Sequence, residues 1–273
     1  MKTHNRIVFV GVAFGTLVAL ASAPAAAITT EEDEGVTPRE EQRPTAAEST
    51  THVLPNTIAA DSGSATGTGT AWGGYDGGMH APVAVFRAEV RLLPRLVLMG
   101  GAGYAVPNAL GQGGGSFRPQ IGARFQVLDQ RRHDVDLSVA VGFREDRFGA
   151  EDGLFQGTIA GGRRFGRTAV VMNAVYATDG EGDDHEGELR LTVLRELGAH
   201  LHLGFDGNGR RSLASSDPRR AMLGTPVAEA FGGPIAALTL GPVALLAEAG
   251  VDGVWTTTVH TGVMTAAGLA AVF

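Results

Sequence analysis

From residue 63 to the C-terminus the chain alternates with period two, which restricts it to strands with one oily and one polar or small face. Phe117, Pro119, Ile121, Ala123, Phe125 and Val127 alternate with Arg118, Gln120, Gly122, Arg124 and Gln126. Val135, Leu137, Val139, Val141 and Phe143 alternate with Asp134, Asp136, Ser138, Ala140, Gly142 and Arg144. The same holds for Phe86, Ala88, Val90 and Leu92 against Arg87, Glu89 and Arg91, and for Leu189, Leu191 and Val193 against Glu188, Arg190 and Thr192. Ala199, Leu201, Leu203 and Phe205 close the series against His200, His202, Gly204 and Asp206.

A soluble sandwich alternates too, with its oily face inside, so connection lengths decide. The pattern predicts strands over 64–73, 82–92, 95–105, 116–127, 134–143, 154–165, 168–177, 187–195, 199–206, 226–240, 243–251 and 255–273. Connections after even-numbered strands are short, around 93–94, 128–133, 166–167, 196–198 and 241–242. Those after odd-numbered strands are long and polar (74–81, 106–115, 144–153, 178–186 and 207–225), with Asp252-Gly253 the short exception. Short turns at one end and long loops at the other are the habit of a transmembrane barrel. The expected fold class is therefore all-β: a closed antiparallel up-and-down transmembrane β-barrel of about 12 strands. Ten or fourteen strands also fit, because Gly232-Gly233-Pro234 reads as either a kink or a turn.

The chain ends in Phe273, with Ala271, Leu269, Ala267, Thr265, Val263, Thr261, Val259, Thr257 and Trp255 on the same face. In this pattern the sequence resembles the bacterial outer-membrane β-barrel class, at class level and with no particular family. The resemblance covers residues 63–273 and implies that the terminal strand and Phe273 carry the signal read by the barrel assembly machinery. It also implies a bacterial outer-membrane location and outer-membrane lipid as a partner.

The N-terminal residues read differently. Lys2 and Arg6 precede an uncharged, largely apolar stretch from Ile7 to Ala21, and Ala25-Ala26-Ala27 offers a small-x-small cleavage site. Residues 1–27 are thus expected to be a signal peptide cleaved on export through the inner membrane of a Gram-negative cell. In 28–62, eight acidic residues (Glu31, Glu32, Asp33, Glu34, Glu40, Glu41, Glu48, Asp61) oppose Arg39 and Arg43, and the apolar residues have no period. Such a segment buries too little surface to offset its ordering entropy, so it is expected to be a disordered, acidic periplasmic leader before a barrel domain at 63–273. A formal net charge of −7 argues against nucleic acid as a partner, and the absence of Cys excludes disulfides and thiolate metal sites. The 40 glycines lack a G-X-Y period and suit a sheet that bends to close on itself.

The polar face supplies the candidate lumen or constriction residues: Arg87, Glu89, Arg91, Arg118, Arg124, Asp134, Asp136, Arg190, His200 and His202. If 128–133 is a tight turn, Arg124 falls opposite Asp136 with Asp134 diagonal to it. His200 and His202, at i and i+2 on a strand, would share one face, a spacing that can chelate a metal, yet no third ligand is fixed by the sequence. The acidic run from Asp179 to Glu186 departs from a calcium loop, with Asp184 and Arg190 where Gly and Glu are required. The expectation is therefore no metal, no cofactor and no catalytic residue. The expected role is a small passive pore passing small solutes, or a structural surface protein. The alternative is a lumen-sited lipid or peptide hydrolase using His200 and His202.

Overall fold

The structure, a computed structural model, describes residues 58–59, 66–78, 81–105, 116–145, 153–182, 184–214, 227–256 and 258–273. The expected signal peptide, nearly all of the leader, the loop 106–115 and the tip of 215–226 lie outside the described residues. Every alternating segment is a strand: β1 Gly67–Asp76, β2 Ala81–Leu93, β3 Leu96–Ala105, β4 Ser116–Leu128, β5 Asp136–Arg144 and β6 Leu154–Phe165. They are followed by β7 Thr168–Thr178, β8 His185–Glu196, β9 Leu201–Ala214, β10 Ala228–Leu240, β11 Val243–Trp255 and β12 Val259–Val272. Each strand pairs antiparallel with its chain neighbours, and β1 pairs with β12 from Thr68↔Val272 to Tyr75↔Thr265, so the ring is closed. Gly67 N–H donates to the Phe273 carbonyl at 2.8 Å and Phe273 N–H to the Gly67 carbonyl at 3.0 Å, which ties the terminal residue into the seam.

The oily face is outside. On β4, Ile121 is 68% exposed while Arg124 is 1% exposed. Phe86, Ile159, Met172, Leu189, Phe205, Val251 and Val263 continue the exposed apolar belt around the ring. A sandwich would reverse this, whereas a hydrocarbon-facing barrel requires it. Strands of 9 residues (β5) to 14 residues (β9, β12) suffice for a tilted crossing.

Several boundaries differ from the sequence expectation, and the alternative left open in β10 is resolved. β9 runs to Ala214, beyond Asp206, because Gly207 and Gly209 hide the oily half of the alternation. β11 extends through Trp255 and β12 starts at Val259, so the last connection is 256–258. β10 is continuous through Gly232-Gly233-Pro234, a kink and not a turn: Pro234, without an N–H, keeps a partner on β9 (Phe205) while its pairing to β11 lapses. Lastly, the β4–β5 connection contains a helical turn, α1 Gln130–His133, capped by the Asp129 carboxylate, which accepts the Arg131 N–H at 2.9 Å. That turn and a bulge at Gln126/Leu128 shift the register, so Arg124 faces Ala140 and not Asp136.

The lumen is divided along its length. Near the short turns its wall is partly apolar, with Trp72, Ala237, Ala244, Leu246, Ala270 and Val272 in one buried cluster and Leu194 against Ile235 in another. Toward the long loops the lumen face is charged.

Candidate functional site

The charged half is built on β5, β8, β9 and β10. Glu186 and Glu188, two residues apart on β8, point inward together. Arg144 reaches them from β5, Nη2 to Glu186 Oε2 at 3.3 Å and Nη1 to Glu188 Oε2 at 3.1 Å. It does so across β6 and β7, whose inward residues at that level are Gln156 and Thr158 on β6 and Val175 and Ala177 on β7. Arg190 forks onto Glu188 through Nε at 2.8 Å and Nη2 at 2.9 Å. Arg210 binds Glu186 Oε2 through Nη2 at 2.9 Å and reaches Glu229 on β10 at 3.5 Å. Such forked, charge-assisted bonds fix both partners, and burial makes loss of one partner expensive.

Around the ring, charge is sorted by sign. Among the described residues, the lumen face of β10, β11, β12 and β1 carries Glu229, Glu248, Asp252 and Asp76 and no arginine. Among the described residues, the inward arginines Arg87, Arg91, Arg118, Arg124, Arg144, Arg190 and Arg210 lie on β2 to β9, interspersed with Glu89, Glu186, Glu188 and Asp206. Side chains bridge the lumen: Arg144 on β5 meets Glu186 and Glu188 on β8, three strands along the ring. Both sides border a cavity of about 340 Å³ in the long-loop half, lined by Arg87, Arg118, Arg190, Glu229, Glu248 and Asp252 among others.

Below this cavity, residues 58–59 lie inside the barrel. Ile58 and Ala59 are 5% and 1% exposed. The Asn173 side-chain amide pairs with both backbone groups of Ile58: Oδ1 accepts its N–H at 2.6 Å and Nδ2 donates to its carbonyl at 2.9 Å. Arg124 Nη1 donates to the Ala59 carbonyl while Nη2 is held by Glu89 Oε2 at 3.0 Å.

No family model and no curated protein matches the sequence. Solved structures do. The NanC porin superposes with a TM-score of 0.55 at 11% identity, covering 74% of this chain and 98% of that one. The KdgM porin superposes with a TM-score of 0.51 at 10% identity, covering 76% of this chain and 99% of that one. The fold is that of an outer-membrane porin.

Within this porin fold the predicted lumen residues divide into three groups. Arg87, Glu89, Arg118, Arg124 and Arg190 face the upper and middle lumen, and Arg91 sits half-buried near the short turns. Asp136 accepts from Gln126 Nε2 at 3.1 Å and from the Gln130 N–H at 2.8 Å, so it secures the turn and not Arg124. Asp134 leaves the lumen altogether: it is the exposed C-cap of α1, with φ 63°. His200 and His202 do not act as a pair. His200 is exposed in the turn before β9, and its carbonyl accepts the Thr239 N–H, whereas His202 is buried in the lumen opposite Glu196 and Ala237. Among the described residues no three His, Cys, Asp or Glu side chains converge on a metal position. Sequence reading missed Arg210, Glu229 and Asn173. Arg210 follows Asp206 at the same period, behind two outward glycines. Asn173 is the one polar side chain in the inward row Ala169, Val171, Asn173, Val175, Ala177, which is the signal that marks it.

Proposed function

We propose that the protein is a bacterial outer-membrane pore for small polar solutes. The observation that carries the reading is the lumen cavity of about 340 Å³ whose charged groups are carboxylates on one side and mainly arginines on the other. Opposed walls of opposite net charge set up a field across the channel. Ions of each sign then follow separate walls, and a solute bearing both charges is oriented as it enters. The cavity lies at the lower end of the range of about 300–1,000 Å³ usual for small-molecule sites, which limits passage to small solutes. By the loop-length habit of such barrels, the short turns face the periplasm and the charged mouth faces outward.

Planar-bilayer recording tests this. The expected result is discrete current steps whose reversal potential under a salt gradient moves toward anion selectivity in Glu229→Gln/Glu248→Gln, which depletes the acidic wall. Absence of steps at any voltage, in both the unaltered chain and Asn173→Ala, would overturn the pore reading.

A further inference from the structure

We infer that the lumen contains a binding site for extended peptide backbone, formed by Asn173, Arg124 and Glu89, and that its resident ligand is the chain's own Ile58–Ala59 segment. The conductance part of this inference rests on the pore reading; the binding part does not.

Asn173 satisfies one N–H and one C=O of the same residue, the pair a neighbouring strand would otherwise satisfy. It therefore reads backbone and is indifferent to the side chain it holds. The next carbonyl, that of Ala59, is taken by Arg124, whose second nitrogen is anchored to Glu89 so that the first is aimed at the segment. Asn173, Arg124 and Glu89 are 0%, 1% and 3% exposed. A buried primary amide in an otherwise apolar row is destabilising unless it is hydrogen-bonded, and the Asn173 amide is bonded to Ile58 through both its oxygen and its nitrogen. Three hydrogen bonds from two lumen walls, β4 and β7, thus converge on two consecutive residues of the leader. Ile58 also borders the cavity from below, so the held segment stands in the solute path. With the peptide seated the floor of the cavity is filled; its release vacates that floor.

The absence of Cys from the chain permits a clean test. Ala59→Cys places a single thiol at the held segment, and its reaction with a water-soluble maleimide reports release. Two releasing changes are compared in the full chain: Asn173→Ala on the wall, and Ile58→Pro on the segment, which removes the donated N–H without altering the barrel wall. Heat-modifiable gel migration verifies that each variant is folded. The expected result is slow labelling in the parent, accelerated about tenfold or more by either change, as loss of such hydrogen bonds implies. Channel open probability is expected to rise in parallel. Accelerated labelling without conductance in any variant leaves the peptide site standing and removes the pore reading. Labelling at the same rate in parent and folded Ile58→Pro overturns the peptide site.

Discussion

Glu186 accepts from Arg144 and from Arg210 while 1% exposed, so its carboxylate is the node through which β5, β8 and β9 are joined across the lumen. Neutralising it leaves Arg144 and Arg190 sharing Glu188 and leaves Arg210 with only the longer contact to Glu229. Glu186→Gln is expected to destabilise the barrel by about 3–5 kcal/mol, the usual range when one partner of a buried pair is removed. The exposed Glu181→Gln should be neutral. Lowering of the temperature at which heat-modifiable migration is lost, in the first and not the second, checks this. The glutamate that matters is therefore the one whose neighbours are fixed by strand pairing, although both belong to the same acidic stretch of sequence.

At the scale of elements, the closure of β8, β9 and β10 depends on close backbone approach. A Cβ on Gly204 would meet the Val193 carbonyl of β8, and one on Gly233 would meet backbone at Ala249 of β11, whereas Gly209 has open space. Gly204→Ala is expected to cost about 1–3 kcal/mol through overpacking, and Gly209→Ala to be tolerated; urea midpoints followed by tryptophan fluorescence discriminate the two. These same elements show where alternation is legible and where it is not. Leu201, Leu203 and Phe205 against His202, Gly204 and Asp206 announce a strand because one face is oily. Past Asp206 the outward residues are Gly207 and Gly209, so the period loses its contrast and the strand continues unseen as far as Ala214. The pairing of Arg124 was not legible either. A four-residue helical turn sets the β4–β5 register, and the partner Glu89 sits two strands away, a proximity that only the curvature of the sheet creates. Ile58 carried no signal in sequence because its partner, Asn173, is 115 residues distant.

For the whole molecule, the inside-out arrangement places its two tryptophans in different media. Trp72 is 6% exposed and faces the packed lumen; Trp255 is 38% exposed on the outer face at the long-loop end. In bilayers containing brominated acyl chains, about half the emission is expected to be quenched, and all of that loss should vanish in Trp255→Phe. Quenching that persists in Trp255→Phe would contradict the orientation of β1. Charge follows the same logic of scale: most of the net negative charge lies in residues 28–62, and residues 63–273 are closer to balanced, with carboxylates facing arginines. The bond pair between Gly67 and Phe273 has a consequence for how such a ring can come into being. Every strand has two partners only when the first and last are joined, and in hydrocarbon a free strand edge is a row of N–H and C=O groups with nothing to receive them. An eleven-strand intermediate has no resting place within the bilayer. Entry into the membrane and completion of the circle are then one cooperative event, sealed where Gly67 and Phe273 exchange hydrogen bonds.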